Sequence, residues 1–297
     1  MGEILVGITS WTEPTLIESG RFYPASARTA EARLKYYATQ FPIVEVDSSY
    51  YGMPDERMGG LWVGRTPDNF VFDIKTFRLF TMHQTSPSAL PKDIRESLPA
   101  ELTQKKSVYY RDLPRETVDE LWCRFAQALL PLDSAGKLGV VLFQFPPWFF
   151  PGEQEREHIA HCQEMLPQYR LAIEFRHASW TNEKNSERTF NFLTERNLAY
   201  VCCDEPQGFN SSVPFLAEAT SDIGVVRLHG RNREAWGKPG ISAAGRFNYL
   251  YSEDELKEIA PKIKDLSSKT HQLHVLFNNC YGDKAVNNAR QTALLLG

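Results

Sequence analysis

The feature that most constrains this chain is a repeating unit: a short apolar run, then a longer stretch with helical periodicity. Eight such runs occur, at Ile4–Thr9, Ile43–Ser48, Phe70–Lys75, Leu138–Gln144, Tyr169–Phe175, Ala199–Asp204, Ile223–His229 and Gln272–Asn278. They are rich in Val, Ile, Leu and Phe along their length, as strands covered on both faces should be. Between most of them the apolar residues recur at helical spacing, in Ala30–Gln40, Glu116–Leu130, Glu187–Arg196 and Glu253–Leu266, and Lys284–Leu296 closes the chain with Asp283 as its expected N-cap. Strands alternating with helices imply a parallel sheet with right-handed crossovers. Eight repeats favour closure into one (β/α)8 TIM-type barrel over residues 1–297. The alternative is an open doubly wound sheet, but no glycine-rich phosphate loop follows any run.

One connection is too long. Residues 76–137 exceed what a loop and one helix need, and the surplus, 81–114, carries Lys92, Arg95, Lys105, Lys106 and Arg111. An insertion after the third strand, at its C-terminal end, is expected to act as a lid over the working face.

Composition narrows the setting. With 42% hydrophobic and 24% charged residues and a net charge of −4, the chain reads as an ordinary globular protein with no overall attraction to nucleic acid or anionic membrane. The opening residues lack a secretory pattern, and the apolar stretch 138–150 is broken by Gln144, Pro146 and Pro147, so no membrane span is expected. Five scattered cysteines without CxxC spacing suit a reducing, cytoplasmic location.

In barrels of this kind chemistry gathers where the strands end. The polar groups there are Glu45 and Asp47, Asp73 and Lys75, Gln144, Glu174 and Arg176, Asp204, Arg227 and His229, and Asn278 with Asn279. Residues two apart share a strand face, so Glu45/Asp47, Asp73/Lys75, Glu174/Arg176 and Arg227/His229 are same-side pairs. Pointing inward, they would form an ion network with Glu45, Asp73 and Arg227 deepest. Such a network is either structural or the base of a site with mutually perturbed pKa values. Candidates for acid–base work are Asp47, Glu174 and Asp204, with Lys75 as base or cation and His229 as the one strand-end histidine. A Schiff-base role for Lys75 is opposed by its neighbour Asp73. The histidines show no HxH or HExxH spacing, and His158 and His161 fall in a helical, solvent-facing stretch. No cofactor is predicted, although a divalent metal held by Glu45, Asp47, Glu174 and Asp204 stays open.

Anion binding has more support. Arg227, Arg231, Arg233, Lys238 and Arg246 fall within 20 residues that hold one acid, Glu234. The loops after the seventh and eighth strands contain Gly230 and Gly282, where backbone N–H groups could approach an anion. Aromatic residues follow every strand, among them Trp11, Tyr50, Trp236 and Tyr281.

Read in order, these segments resemble the YecE-like family, domain of unknown function 72, whose members adopt a TIM-type barrel. The matching stretches are Gly7-Ile8-Thr9-Ser10-Trp11, Phe22-Tyr23-Pro24, Val44 through Pro54, Trp62 with Thr66-Pro67, and Phe72-Asp73-Ile74-Lys75. Further along come Thr81-Met82-His83, Gln144-Phe145-Pro146-Pro147, Glu174-Phe175-Arg176-His177 with Trp180, and Asp204. Arg227-Leu228-His229-Gly230-Arg231, Trp236, Tyr251, Phe277-Asn278-Asn279 and Asn287-Asn288-Ala289 complete the set. The resemblance implies the barrel and a list of site positions, His83 among them, although Met82 departs from the family pattern beside it. It implies no reaction. Endonuclease IV-like and xylose isomerase-like barrels use dense His/Asp/Glu metal clusters that are missing here.

Three functions remain. The first is an enzyme acting on a small phosphate- or carboxylate-bearing molecule, with Lys75, Glu174, Asp204, His229 and Asp47 near the chemistry. Arg176, Arg227, Arg231, Asn278, Asn279 and Gly230 would hold the anion, with Trp11, Tyr50, His83 and Trp236 around it. The second is a nucleic-acid-binding or -processing barrel that uses residues 227–246. The third is a non-catalytic ligand-binding protein. The oligomeric state is left open.

Overall fold

A computed structural model describes residues 2–297, apart from the side chain of Ala243. Eight parallel strands close into a barrel in sequence order: β1 (Glu3–Thr9), β2 (Ile43–Val46), β3 (Val71–Lys75), β4 (Leu138–Gln144), β5 (Leu171–Glu174), β6 (Ala199–Asp204), β7 (Ile223–Leu228) and β8 (Gln272–Phe277). β8 pairs with β1 over six residues, Glu3↔Gln272 to Ile8↔Phe277, which closes the ring. Each strand falls within a run picked out by apolar patterning or within a residue of it. Both faces are buried, so hydrophobicity rather than alternation marks them.

The crossover helices are Ala30–Tyr37, Glu56–Val63, Arg115–Ser134, Glu153–Met165, Ser186–Glu195 and Glu253–Ser268, with Lys284–Leu296 packed against β1 after the last strand. The β6–β7 connection, residues 205–222, contains no helix. There Phe215, Leu216 and Ala217 cover the barrel from an irregular segment. Asp283 sits at the head of the last helix but makes no side-chain cap, because it pairs with Arg21 at 2.6 Å instead. His158 is buried, contrary to the solvent-facing expectation. Its Nε2 lies 2.7 Å from the Phe80 carbonyl, while His161 stays partly exposed.

The β1–β2 ladder is short, with only Ile8↔Val44 and Thr9↔Glu45 in register. A side chain repairs the gap. The Tyr37 hydroxyl accepts from the Ile8 amide at 3.0 Å and donates to the Ile43 carbonyl at 2.9 Å, in a fully buried position. Tyr37→Phe therefore strands two buried backbone groups and should cost about 1–3 kcal/mol. Urea unfolding of the two proteins measures it, and equal midpoints would refute the bridging role.

No residue of the long insertion lines the cleft at the barrel mouth. Thr85 and Val108 form an antiparallel bridge, and Leu90, Ile94, Leu98 and Leu113 are buried beneath two short helices, Lys92–Ser97 and Ala100–Thr103. Asp93 accepts a two-pronged bond from Arg124, at 2.9 and 2.6 Å, which ties the segment to the flank of helix Arg115–Ser134. Just before it, Phe80 stacks on Trp122 of the same helix with ring centroids 3.6 Å apart. The insertion is thus a packed buttress on the barrel's side.

Candidate functional site

Strand alternation stacks polar side chains inside the barrel in layers. Lowest is Asp73, whose Oδ1 accepts from the Val140 amide (2.9 Å) and whose carboxylate meets Nδ1 of His274 at 2.9 Å. Gly139 leaves room for this pair, since a Cβ there would lie 2.2 Å from Asp73 Oδ1. Asp73 therefore does not join the arginine network expected for it. His274 lies four residues before Asn278, on the same strand face, and that spacing was its sequence signal.

The next layer is centred on Arg227, which is fully buried. Its Nε and Nη2 donate to Glu45 at 2.8 and 2.6 Å, and its Nη1 donates to Glu174. Burial pushes the Glu45 carboxyl up to about 8, with Arg227 pulling the other way. Burial would raise Glu174 as well, but Arg227 and His229 prevail and hold it well below the usual carboxylate range.

His229 links this layer to the rim. Its Nε2 is 3.2 Å from Glu174 Oε1, and its Nδ1 is 2.9 Å from the Asn278 amide nitrogen. Asn278 Oδ1 in turn accepts from the Thr9 hydroxyl at 2.8 Å. An amide donating to Nδ1 fixes the imidazole proton on Nε2, facing the carboxylate. Burial lowers the His229 pKa to about 3, so the ring is neutral near neutral pH.

At the rim, Lys75 Nζ lies 3.2 Å from Asp47 and 4.8 Å from the centre of the Tyr50 ring. Burial disfavours the ammonium, but Asp47 outweighs it and the Lys75 pKa is raised. An amine nucleophile would need the opposite shift. Arg176 Nη1 bridges Glu174 (3.1 Å) and Glu205 (3.0 Å), and its guanidinium lies 4.8 Å from the centre of the Trp236 ring. Asp47, Lys75 and Arg176 border a cleft of about 420 Å³ at the mouth, together with Tyr50, Gln144 and Asn278.

The model of the family described as "Protein of unknown function DUF72" matches residues 5–297. The chain belongs to the DUF72 family. Over 297 residues it is 30% identical to the UPF0759 protein YunF of Bacillus subtilis (strain 168), a match covering 99% of this chain and 94% of the relative. A DUF72 family protein of Thermotoga maritima MSB8 is similar in structure at 29% identity, with a TM-score of 0.75 and 99% of each chain covered. Another, from Enterococcus faecalis V583, is similar at 25% identity and a TM-score of 0.79, covering 99% of this chain and 95% of that one.

Not every position singled out in this DUF72 sequence reaches the cleft. Lys75, Asp47, Arg176, Asn278 and Tyr50 border it. Glu174, His229 and Arg227 lie beneath as fully buried supports, so Arg227 has no free face for an anion. Asp204 points elsewhere. It accepts from Arg231 (2.7 Å) and from the Tyr251 hydroxyl (2.7 Å), in a separate cleft with Lys262. The Gly230 amide donates to Tyr251 at 2.9 Å and is spent there. Asn279 donates to the Tyr249 carbonyl and to Asn288 behind the rim. Trp11 packs in the core against Trp62 and Phe72, and Trp236 is buried under Arg176. His83 touches the site only through Tyr50, at 5.4 Å between rings.

Glu205 was missed in the sequence. It follows the end of β6, where two-residue alternation no longer applies, so it turns inward beside Asp204. Burial raises it to about 7, against the pull of Arg176.

Metal binding fits poorly. Of the four carboxylates considered for it, Glu45 and Glu174 are held by Arg227 and Asp204 by Arg231. Glu174, Cys203 and His229 do place ligand atoms within 4.8 Å of one another. Both Glu174 oxygens, however, already face arginines, and burial pushes the Cys203 thiol well up, away from the thiolate a metal needs. Among the described residues no helix is long and apolar enough to cross a membrane.

Proposed function

We propose that this DUF72 barrel is an enzyme that binds a small carboxylate- or phosphate-bearing molecule at its mouth and moves a proton on it. The observation that carries this reading is a set of uncommitted donors around one cleft. Arg176 spends only Nη1 on protein, leaving Nε and Nη2 without a hydrogen bond among the described residues. Among the described residues the Lys75 ammonium has Asp47 as its one ion-pair partner, and neither the Gln144 side-chain amide nor the Tyr50 hydroxyl donates a hydrogen bond. Donors held on rigid strand ends and aimed at one volume favour an acceptor-rich, anionic ligand.

Asp47 is the base of this reading. Burial would raise its pKa, but Lys75 and Arg227 outweigh that and keep it ionised. Lys75 stays cationic next to the charge that develops as a proton leaves. Glu174, Arg227 and His229 are positioning residues that hold Arg176 and Asn278 in place.

The nucleic-acid reading loses its footing, because charges close in sequence are far apart in engagement. Arg227 is inside the barrel, Arg231 is bound to Asp204, and Arg233 donates to the Gln207 carbonyl. Of that segment Arg233, Lys238 and Arg246 are without an ion pair among the described residues, and Arg233 is committed to the Gln207 carbonyl.

Calorimetric titration with a panel of small carboxylates and phosphates tests the binding. Lys75→Met and Arg176→Met should each weaken it roughly 10- to 100-fold, the loss of one charge-assisted hydrogen bond. Unchanged affinity in both would overturn the site. Binding compounds incubated in deuterated water and followed by NMR test the chemistry. Neither product nor exchange would leave a non-catalytic binding protein.

A further inference from the structure

The cleft also contains acceptors that a simple anion would leave unused. Asp47 occupies the N-cap position of the short helix Ser48–Tyr51, where an aspartate ordinarily bonds the backbone, yet it makes no cap bond. Its carboxylate borders the cleft, where Oδ1 has no hydrogen-bond partner among the described residues and Lys75 stands 3.2 Å away as an ion pair. Glu13, also on the cleft, spends Oε2 on its own helix start through Thr15 and the Leu16 amide, leaving Oε1 uncommitted. Ser10, Thr12 and Ser48 add hydroxyls to the same wall. Ser10 is held at φ +60°, a left-handed conformation that costs a serine energy and that clusters at functional positions.

These groups divide the cleft. Arg176 and Gln144 present donors, whereas Asp47 and Glu13 present acceptors. A second anionic oxygen beside Asp47 would be repelled, so whatever sits there must bring hydrogens. An aliphatic acid would satisfy the cations but shut Asp47 off from water with Lys75 as its ion-pair partner and leave Glu13 Oε1 with no partner. Hydroxyl groups satisfy both sides, and the Tyr50 and Phe247 rings on the cleft offer flat surfaces to carbon-bound hydrogens. A volume of about 420 Å³ accommodates a single sugar or a six-carbon chain.

We propose that the ligand is a polyhydroxylated anion, a sugar acid or a sugar phosphate, with its charged group on Arg176 and Gln144 and its hydroxyls on Asp47 and Glu13. This rests on the anion-binding reading above and narrows it to a ligand class. The test is calorimetric titration of the full chain with five probes: gluconate, glucose 6-phosphate, hexanoate, hexyl phosphate and glucose.

At least one hydroxylated anion should bind about tenfold or more tighter than its alkyl counterpart, which is the factor supplied by one charge-assisted hydrogen bond. Which of the two wins separates the sugar-acid source from the sugar-phosphate source. Asp47→Asn should collapse that preference while alkyl-anion affinity is retained or improves, and that retention also shows the variant is folded. Equal binding of alkyl and hydroxylated anions overturns this inference and leaves the anion site standing. Glucose binding as tightly as the charged sugars overturns the anion reading itself, as does failure of all four anions to bind.

Discussion

Replacing Arg227 with methionine is expected to lower the unfolding free energy by about 3–5 kcal/mol, the usual result of removing one partner from a buried ion cluster. The arginine is fully buried between Glu45 and Glu174, and among the described residues no other cation forms an ion pair with Glu45. Its loss strips the buried Glu45 carboxyl of both its arginine bonds and leaves the ionised Glu174 with Arg176 as its remaining arginine. The double variant Arg227→Met/Glu174→Gln should recover part of the deficit by removing that undercompensated charge. Denaturant unfolding of the three proteins decides the matter. A single variant as stable as the parent would mean the triad contributes nothing, and a double variant worse than the single would mean that the uncompensated charge is not the cause. Because Arg227 also holds Glu174, which holds Arg176, ligand affinity should fall in the single variant even where the protein remains folded.

The second large effect is on stability against pH. Burial lowers His83 to about 3, His158 to about 4 and His229 to about 3. A histidine kept neutral by the fold binds fewer protons than its unfolded counterpart, so its contribution is complete above about pH 6.5 and is lost as the pH falls. Glu45 and Glu205 act in the opposite sense. Raised to about 8 and about 7, they hold protons that the unfolded chain has released, and their contribution fades as the pH climbs from about 4.5.

Three groups against two leave a net of one proton between about pH 4.5 and 6.5, or roughly 1.4 kcal/mol per pH unit. Below that window the glutamates cease to compensate. The slope should then steepen to about 4 kcal/mol per unit, with the depressed Glu174 and Asp47 adding to it. Stability is therefore expected to peak near pH 6.5, to fall toward pH 8 at least as steeply as it rose from pH 4.5, and to collapse below about 4.5. Unfolding free energies at pH 4, 5, 6.5 and 8 map the curve, and a continuous rise from pH 5 to 8 would contradict it. Glu205→Gln should flatten the alkaline limb.

The barrel was legible because its signal is local. Eight apolar runs buried on both faces need no distant information to be found, and the two-residue alternation paired Glu45 with Asp47 and Arg227 with His229 correctly. Patterning failed where the rule behind it lapsed. Residues 205–222 cross the barrel without a helix, so no periodicity marks them. Glu205 lies one step past a strand end, and the charge of 81–114 suggested a lid although its buried Ile94 and Leu98 pin it to the flank.

By itself, then, the sequence determined which segments become strands and which polar side chains stand at their ends, because both follow from spacing within a few residues. Tertiary structure alone decided which of those groups face a ligand. Arg227, Arg231 and Arg246 are close along the chain, but one is sealed by Glu45 and Glu174, one is bound by Asp204, and one borders the cleft. Whether a charge is spent or free depends on partners brought from other strands, up to 182 positions away for Arg227 and Glu45, and no local pattern encodes that pairing.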